Sequence, residues 1–282
     1  MSKYHVSSIM HFEEVTLLIQ DMKRSLEFYQ EILGLQVIEQ MDNKVVLSAN
    51  QVDPLIVLIE DRNAIPLGIT TGLYHYALLL PDRVALAHVI KQLADKRYPI
   101  TGASDHGVSE ALYLDDPDGN GIEIYIDKAD REWPMEHGKL TMYTKAMDME
   151  SIMKELPQEP YLKINPKTII GHLHFHVSDL KEAELFFCKA LGFQPVLFYM
   201  KSALFISDGG YHHHLGLNNW NGNAPINQEK QVGLKSYVLA IPKEQYPALT
   251  RRLQEHRIVI FVDDQNKYLL DPLGQKIVIR VV

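Results

Sequence analysis

The chain repeats itself, and this limits it to architectures built from one small unit used several times. Residues 13–35 read as a strand, Val15 to Ile19, then Asp21 as a helix N-cap, an apolar helix face of Leu26, Tyr29, Ile32 and Leu33, and a terminating Gly34. The same order returns in a strand from Gly171, the cap Asp179, the face Ala183, Phe186, Phe187, Ala190 and Leu191, and Gly192. Asp21 to Asp179 and Gly34 to Gly192 are both offsets of 158 residues, so the register is kept without a gap. Further strands are expected near 35–39, 44–48 and 55–59 after the first helix, and over 203–206 and 211–218 after the other.

Two intervening units share a second pattern. Leu73 to Leu80 is a strand, Asp82 caps a helix with Leu86, Val89, Ile90 and Leu93 on one face, and the unit closes in a hairpin. In that hairpin Asp116-Pro117-Asp118-Gly119-Asn120-Gly121 forms the turn between Ala111–Leu114 and Ile122–Ile126. Ser236 to Ile241, the helical Tyr246, Leu249 and Leu253, and Asp271-Pro272-Leu273-Gly274 repeat it, with Val278 where the earlier unit has Glu123. The pattern predicts an α+β chain of four tandem modules, each one helix on a curved sheet, forming two barrel-like halves. The expected boundaries are 9–128 for the first domain, 129–167 for a linker broken by Pro134, Gly138, Pro157, Pro160 and Pro166 around a helix at 149–156, and 168–282 for the second domain.

A formal net charge of −8 over 282 residues argues against nucleic acid or an anionic membrane as partner. No apolar run is long enough to span a bilayer, and Met1 to Val6 lacks the apolar core of a signal peptide. The single cysteine, Cys188, lies in a helix pattern as a buried thiol and has no disulfide partner, which suits a cytoplasmic protein.

Chemistry concentrates at the strand starts. Side chains alternate along the last hairpin strand, so Ile122, Ile124 and Ile126 share one face and Glu123 and Tyr125 the other. The first strands offer Glu14, His75, His172 and Ser236 at comparable places, and the closing strands offer Glu123 and Val278. A lone histidine on an apolar strand is ordinarily a hydrogen-bonded core residue. His75, Glu123 and His172 at equivalent places in repeated units form instead a set of two imidazoles and one carboxylate, as expected for a non-haem Fe(II) site with open positions. Mn(II) accepts the same ligands.

These residues resemble the vicinal oxygen chelate superfamily, which holds glyoxalases, bleomycin resistance proteins and extradiol dioxygenases. The chain is most similar to its catechol 2,3-dioxygenase-type members. His172 to Asp179 is similar to that family's ligand strand. His212-His213-His214-Leu215 resembles its pocket-histidine strand, and Asp105-His106-Gly-Val-Ser109, Tyr113, Pro117-Asp-Gly119 and Glu123 resemble its closing motif. The resemblance implies βαβββ modules and ring cleavage of a small aromatic diol by O2 on Fe(II). It implies His75, Glu123 and His172 as ligands, His213 as acid–base and Tyr113 as a hydrogen-bond partner of the substrate. His106 and Asn218 are expected to bind substrate or shape its pocket. The second and third modules keep the ligands and the fourth has lost them, so the expected pairing is second with third and first with fourth. Two other readings use the same scaffold: a glyoxalase-like isomerase or lyase, which needs a second carboxylate ligand, and a non-catalytic small-molecule binding protein. The sequence leaves homo-oligomerisation open.

Overall fold

The computed structural model describes residues 2–158, 160–161, 163–263 and 266–282; of the expected linker, positions 159 and 162 lie outside the described residues. Each module opens with a long strand: His11–Ile19, Gly72–Leu79, Ile169–His176 and Gly233–Ile241. The first and third modules repeat down to their caps. Asp21 accepts from the Arg24 amide, and Asp179 from those of Lys181 and Glu182, starting the helices Met22–Leu26 and Leu180–Glu184. Both helices then widen into π-type stretches, Glu27–Ile32 and Leu185–Leu191. In the second module Asp82 caps Arg83–Asp95, which buries Leu86, Val89, Ile90 and Leu93 on one face.

The two sheets cut across the halves of the sequence. His11–Ile19 pairs antiparallel with Gly233–Ile241, joining the first module to the fourth in an eight-stranded sheet. Gly72–Leu79 pairs antiparallel with Ile169–His176, joining the second to the third in a nine-stranded sheet. One apolar core with residues from all four modules lies between sheets and helices. Phe175 and Phe12 both pack on Tyr237 there, with ring centroids 5.6 and 5.5 Å away. Cys188 is buried in this region, and burial pushes its thiol up to about 12.

The Asp-Pro-x-Gly turns are architecture in both sheets. Asp116 accepts the amides of Asp118 and Asn120 and the hydroxyl of Tyr29. Asp271 likewise accepts the amides of Leu273 and Gln275 and the hydroxyl of Tyr237. What differs between the two barrels is the residue that follows on the strand, Glu123 or Val278.

Three local expectations change. Strand pairing begins at Leu215–Asn218, not at Tyr211, because Gly209 and Gly210 at φ +63° and +78° extend the preceding turn. His212, His213 and His214 are therefore not alternating strand residues. The linker helix is Met149–Met153, shorter than 149–156: its end tightens into turns in which the Glu155 and Leu156 amides donate to the Ile152 and Met153 carbonyls. The linker also contributes structure: Lys145–Ala146 adds an edge strand to the nine-stranded sheet beside Gly102–Asp105.

Candidate active site

Three adjacent strands of the nine-stranded sheet bring the ligand candidates together. Ala77 lies opposite Glu123 on one side and His172 on the other, and His75 lies opposite His174. Partners in register share a face, so all five point the same way. With only a methyl group at Ala77, the larger side chains meet above it. Glu123 Oε2 is 3.0 Å from His75 Nε2 and 3.2 Å from His172 Nε2, and the two imidazole centroids are 5.6 Å apart. One ligand atom from each of the three lies within 4.8 Å of the others. Glu123 is 4% exposed, so it is not a solvent-facing strand residue.

This donor set fits a divalent cation. His75 Nε2 is buried and makes no hydrogen bond, although the carboxylate is 3.0 Å away. A buried nitrogen without a directed partner, beside a second imidazole and a carboxylate, is satisfied by a shared cation. The electrostatics agree. Burial holds His172 below the usual imidazole range and so keeps it neutral. Burial also penalises the Glu123 carboxylate, but His172 and His75 outweigh this and hold its carboxyl well below the usual range. Close packing of the site depends on two glycines. A Cβ on Gly216 would stand 2.8 Å from the His174 ring, and one on Gly171 would stand 2.0 Å from the Tyr125 hydroxyl.

His75 and Glu123 line a cavity of about 230 Å³ whose walls include Tyr74, Tyr113, His174, Phe205, His213 and Trp220. His106 lines it too, and its ring is fixed from both sides. Its Nδ1 donates to the Tyr143 carbonyl at 3.1 Å, which leaves Nε2 to accept the Tyr113 hydroxyl at 2.7 Å. Burial, reinforced by Glu123, raises Tyr113 well above the usual phenol range, so it stays protonated. Burial, followed by the neighbouring histidines, pushes His213 well below the usual range.

The profile of the Glyoxalase/Bleomycin resistance protein/Dioxygenase superfamily matches residues 9–124. Over 270 residues the chain is 41% identical to a catechol-2,3-dioxygenase of Bacillus subtilis (strain 168), covering 94% of each chain. The chain belongs to this superfamily. Identity at that level across nearly all of both chains groups it with the superfamily's dioxygenases. Two of the solved structures that share the fold illustrate it. A candidate dioxygenase from Bacillus subtilis has a TM-score of 0.66 at 15% identity, covering 98% of this chain and 86% of that one. Glyoxalase I from Zea mays has a TM-score of 0.58 at 16% identity, with 96% and 92% covered.

Within this superfamily member, the residues singled out by sequence fall into two groups. His75, Glu123, His106, Tyr113 and His213 line the cavity, and His172 lies directly against the floor they form. Asn218 does not line it: fully buried, it donates from Nδ2 to His174 Nε2 and accepts from His176 Nδ1 and the Trp220 amide, so it acts on the cavity through His174 and Trp220. His214 is tied to the Tyr4 carbonyl and the Asp208 amide. The other sheet repeats the geometry with Ser236 and Val278 in place of His75 and Glu123. Glu14 stands opposite Val238 as His172 stands opposite Ala77, and Val238 pairs with Val278. Residues that sequence reasoning missed are Met142, Tyr143 and Thr144 of the linker, which close one side of the cavity. No motif marks them; their role comes from the long-range contact of Tyr143 with His106.

Proposed function

We propose that this protein is an extradiol ring-cleaving dioxygenase for a catechol-type vicinal diol, with Fe(II) held by His75, Glu123 and His172. One observation carries the reading: two imidazoles and a single carboxylate from three adjacent strands converge at the floor of an aromatic-walled cavity. Mn(II) suits the same donors. When bound, the metal supplies a Lewis-acid centre that gathers diol and O2 and stabilises anionic oxygen.

The chain's own residues do the rest. The walls of Tyr74, Phe205 and Trp220 accept a flat ring and exclude water. The Tyr113 hydroxyl is committed to His106, so its oxygen keeps a lone pair for a substrate hydroxyl. His213, held neutral, is the base that receives a diol proton and returns it after ring opening. The glyoxalase-like alternative needs a second carboxylate, and among the described residues the ligand cluster has only Glu123.

The test is anaerobic loading with Fe(II), addition of catechol, and readmission of oxygen. Stoichiometric oxygen uptake with a yellow ring-opened product is expected. Retained iron without oxygen uptake overturns the reading in favour of a binding protein.

A further inference from the structure

Behind His213 runs a line of polar groups leading away from the cavity along the same face of the sheet, to the end of the strand that carries Glu123. His212 Nδ1 is 2.7 Å from His213 Nδ1, and His212 Nε2 is 2.7 Å from Asp127 Oδ1. His212 is fully buried, while the Asp127 side chain is 21% exposed and borders a second, outer cleft with Lys128 and Trp133. The Tyr211 hydroxyl donates to the same Asp127 oxygen at 2.9 Å, and the Tyr125 hydroxyl donates to Tyr211 at 2.7 Å. Asp127 ends the strand Gly121–Asp127, which also carries Glu123, so the line is anchored to the rigid element that holds the candidate ligand.

With one proton on each imidazole, counting along this line gives a single arrangement. One proton lies between the two facing Nδ1 atoms, because two bare or two protonated nitrogens repel at that distance. The Asp127 carboxylate accepts from His212 Nε2, so the neutral form of His212 carries its single proton there and presents a bare Nδ1. His213 must then donate from its own Nδ1, which leaves its Nε2 bare. We infer that Asp127 and His212 are positioning residues that set the tautomer of His213, so that its unprotonated Nε2 is the nitrogen offered to the cavity. Carboxylate control of a histidine tautomer is well founded in catalytic triads; here it acts through one further imidazole. The catalytic consequence rests on the proposed ring cleavage, whereas the tautomer assignment does not.

Nitrogen-15 NMR of the metal-free full-length protein reads the tautomers directly, with His212→Phe identifying the signals. The expected result is His212 protonated at Nε2 and His213 at Nδ1, with His213 losing this preference in Asp127→Ala. In the iron-loaded protein, Asp127→Ala and His212→Phe should each lower kcat for catechol about tenfold or more, with iron content and KM changed less than about twofold. Wild-type His213 protonated at Nε2 overturns the inference. So does wild-type kcat in both variants, or a kcat loss matched by iron loss, which marks a merely structural role. If wild-type protein fails to cleave catechol, the proposed reaction falls, and the NMR result still decides the tautomers.

Discussion

Glu123→Ala is expected to strip the protein of its metal while leaving it folded. Glu123 is the one carboxylate of the cluster, and its removal leaves two imidazoles and no anion to balance a divalent ion. Changes in outer-shell partners alone typically cost roughly 10–100-fold in metal affinity, so loss of the anionic ligand should exceed that. Iron per chain after dialysis should fall to near zero and ring cleavage should be undetectable. The fold should survive because Ile122, Ile124 and Ile126, on the other face of the strand, carry its core packing, and the Asp116 turn before it is untouched. Melting close to that of metal-free wild type, read by circular dichroism, would separate lost metal from lost structure. Glu123→Gln keeps the shape and removes the charge. An equally large loss of iron there would assign the effect to the anion.

The second large effect belongs to His213. It lines the cavity beside the cluster, its ring centroid 4.2 Å from that of His172. His213→Phe keeps an aromatic ring of similar size and removes both nitrogens. Acid–base groups of this kind contribute about 10²–10⁴-fold, and a kcat loss in that range is expected with iron retained. An unchanged kcat would take the base role from His213. Loss of iron alongside kcat would instead make it a support of the ligand His172.

Much of this was legible because the repeat compares each position with its equivalents. Val278 in place of Glu123, and Ser236 in place of His75, mark the fourth module as emptied, and that asymmetry implies the pairing across the linker that the sheets have. Alternation along Ile122–Ile126 put Glu123 and Tyr125 on one face, where they are found. Other features had no local signature. His212, His213 and His214 are identical in type and adjacent. Their destinations, the Asp127 carboxylate, the cavity and the Tyr4 carbonyl, are set by a Gly-Gly turn and by groups some 85 or more residues away in sequence. Asn218 reads as a pocket residue, but its short side chain is used up by His174, His176 and the Trp220 amide. The linker's contribution was hidden for the same reason, since Tyr143 matters only through His106.

The central claim is that each half of the sequence gives an incomplete ligand set and that the sheet pairing unites them on one ion. A crystal of iron-loaded protein, with anomalous difference density measured at the iron edge, tests it most directly. The account predicts one peak per chain, within coordination distance of His75, Glu123 and His172 together. A peak that contacts His172 but neither His75 nor Glu123, or separate peaks on the two halves, would contradict it.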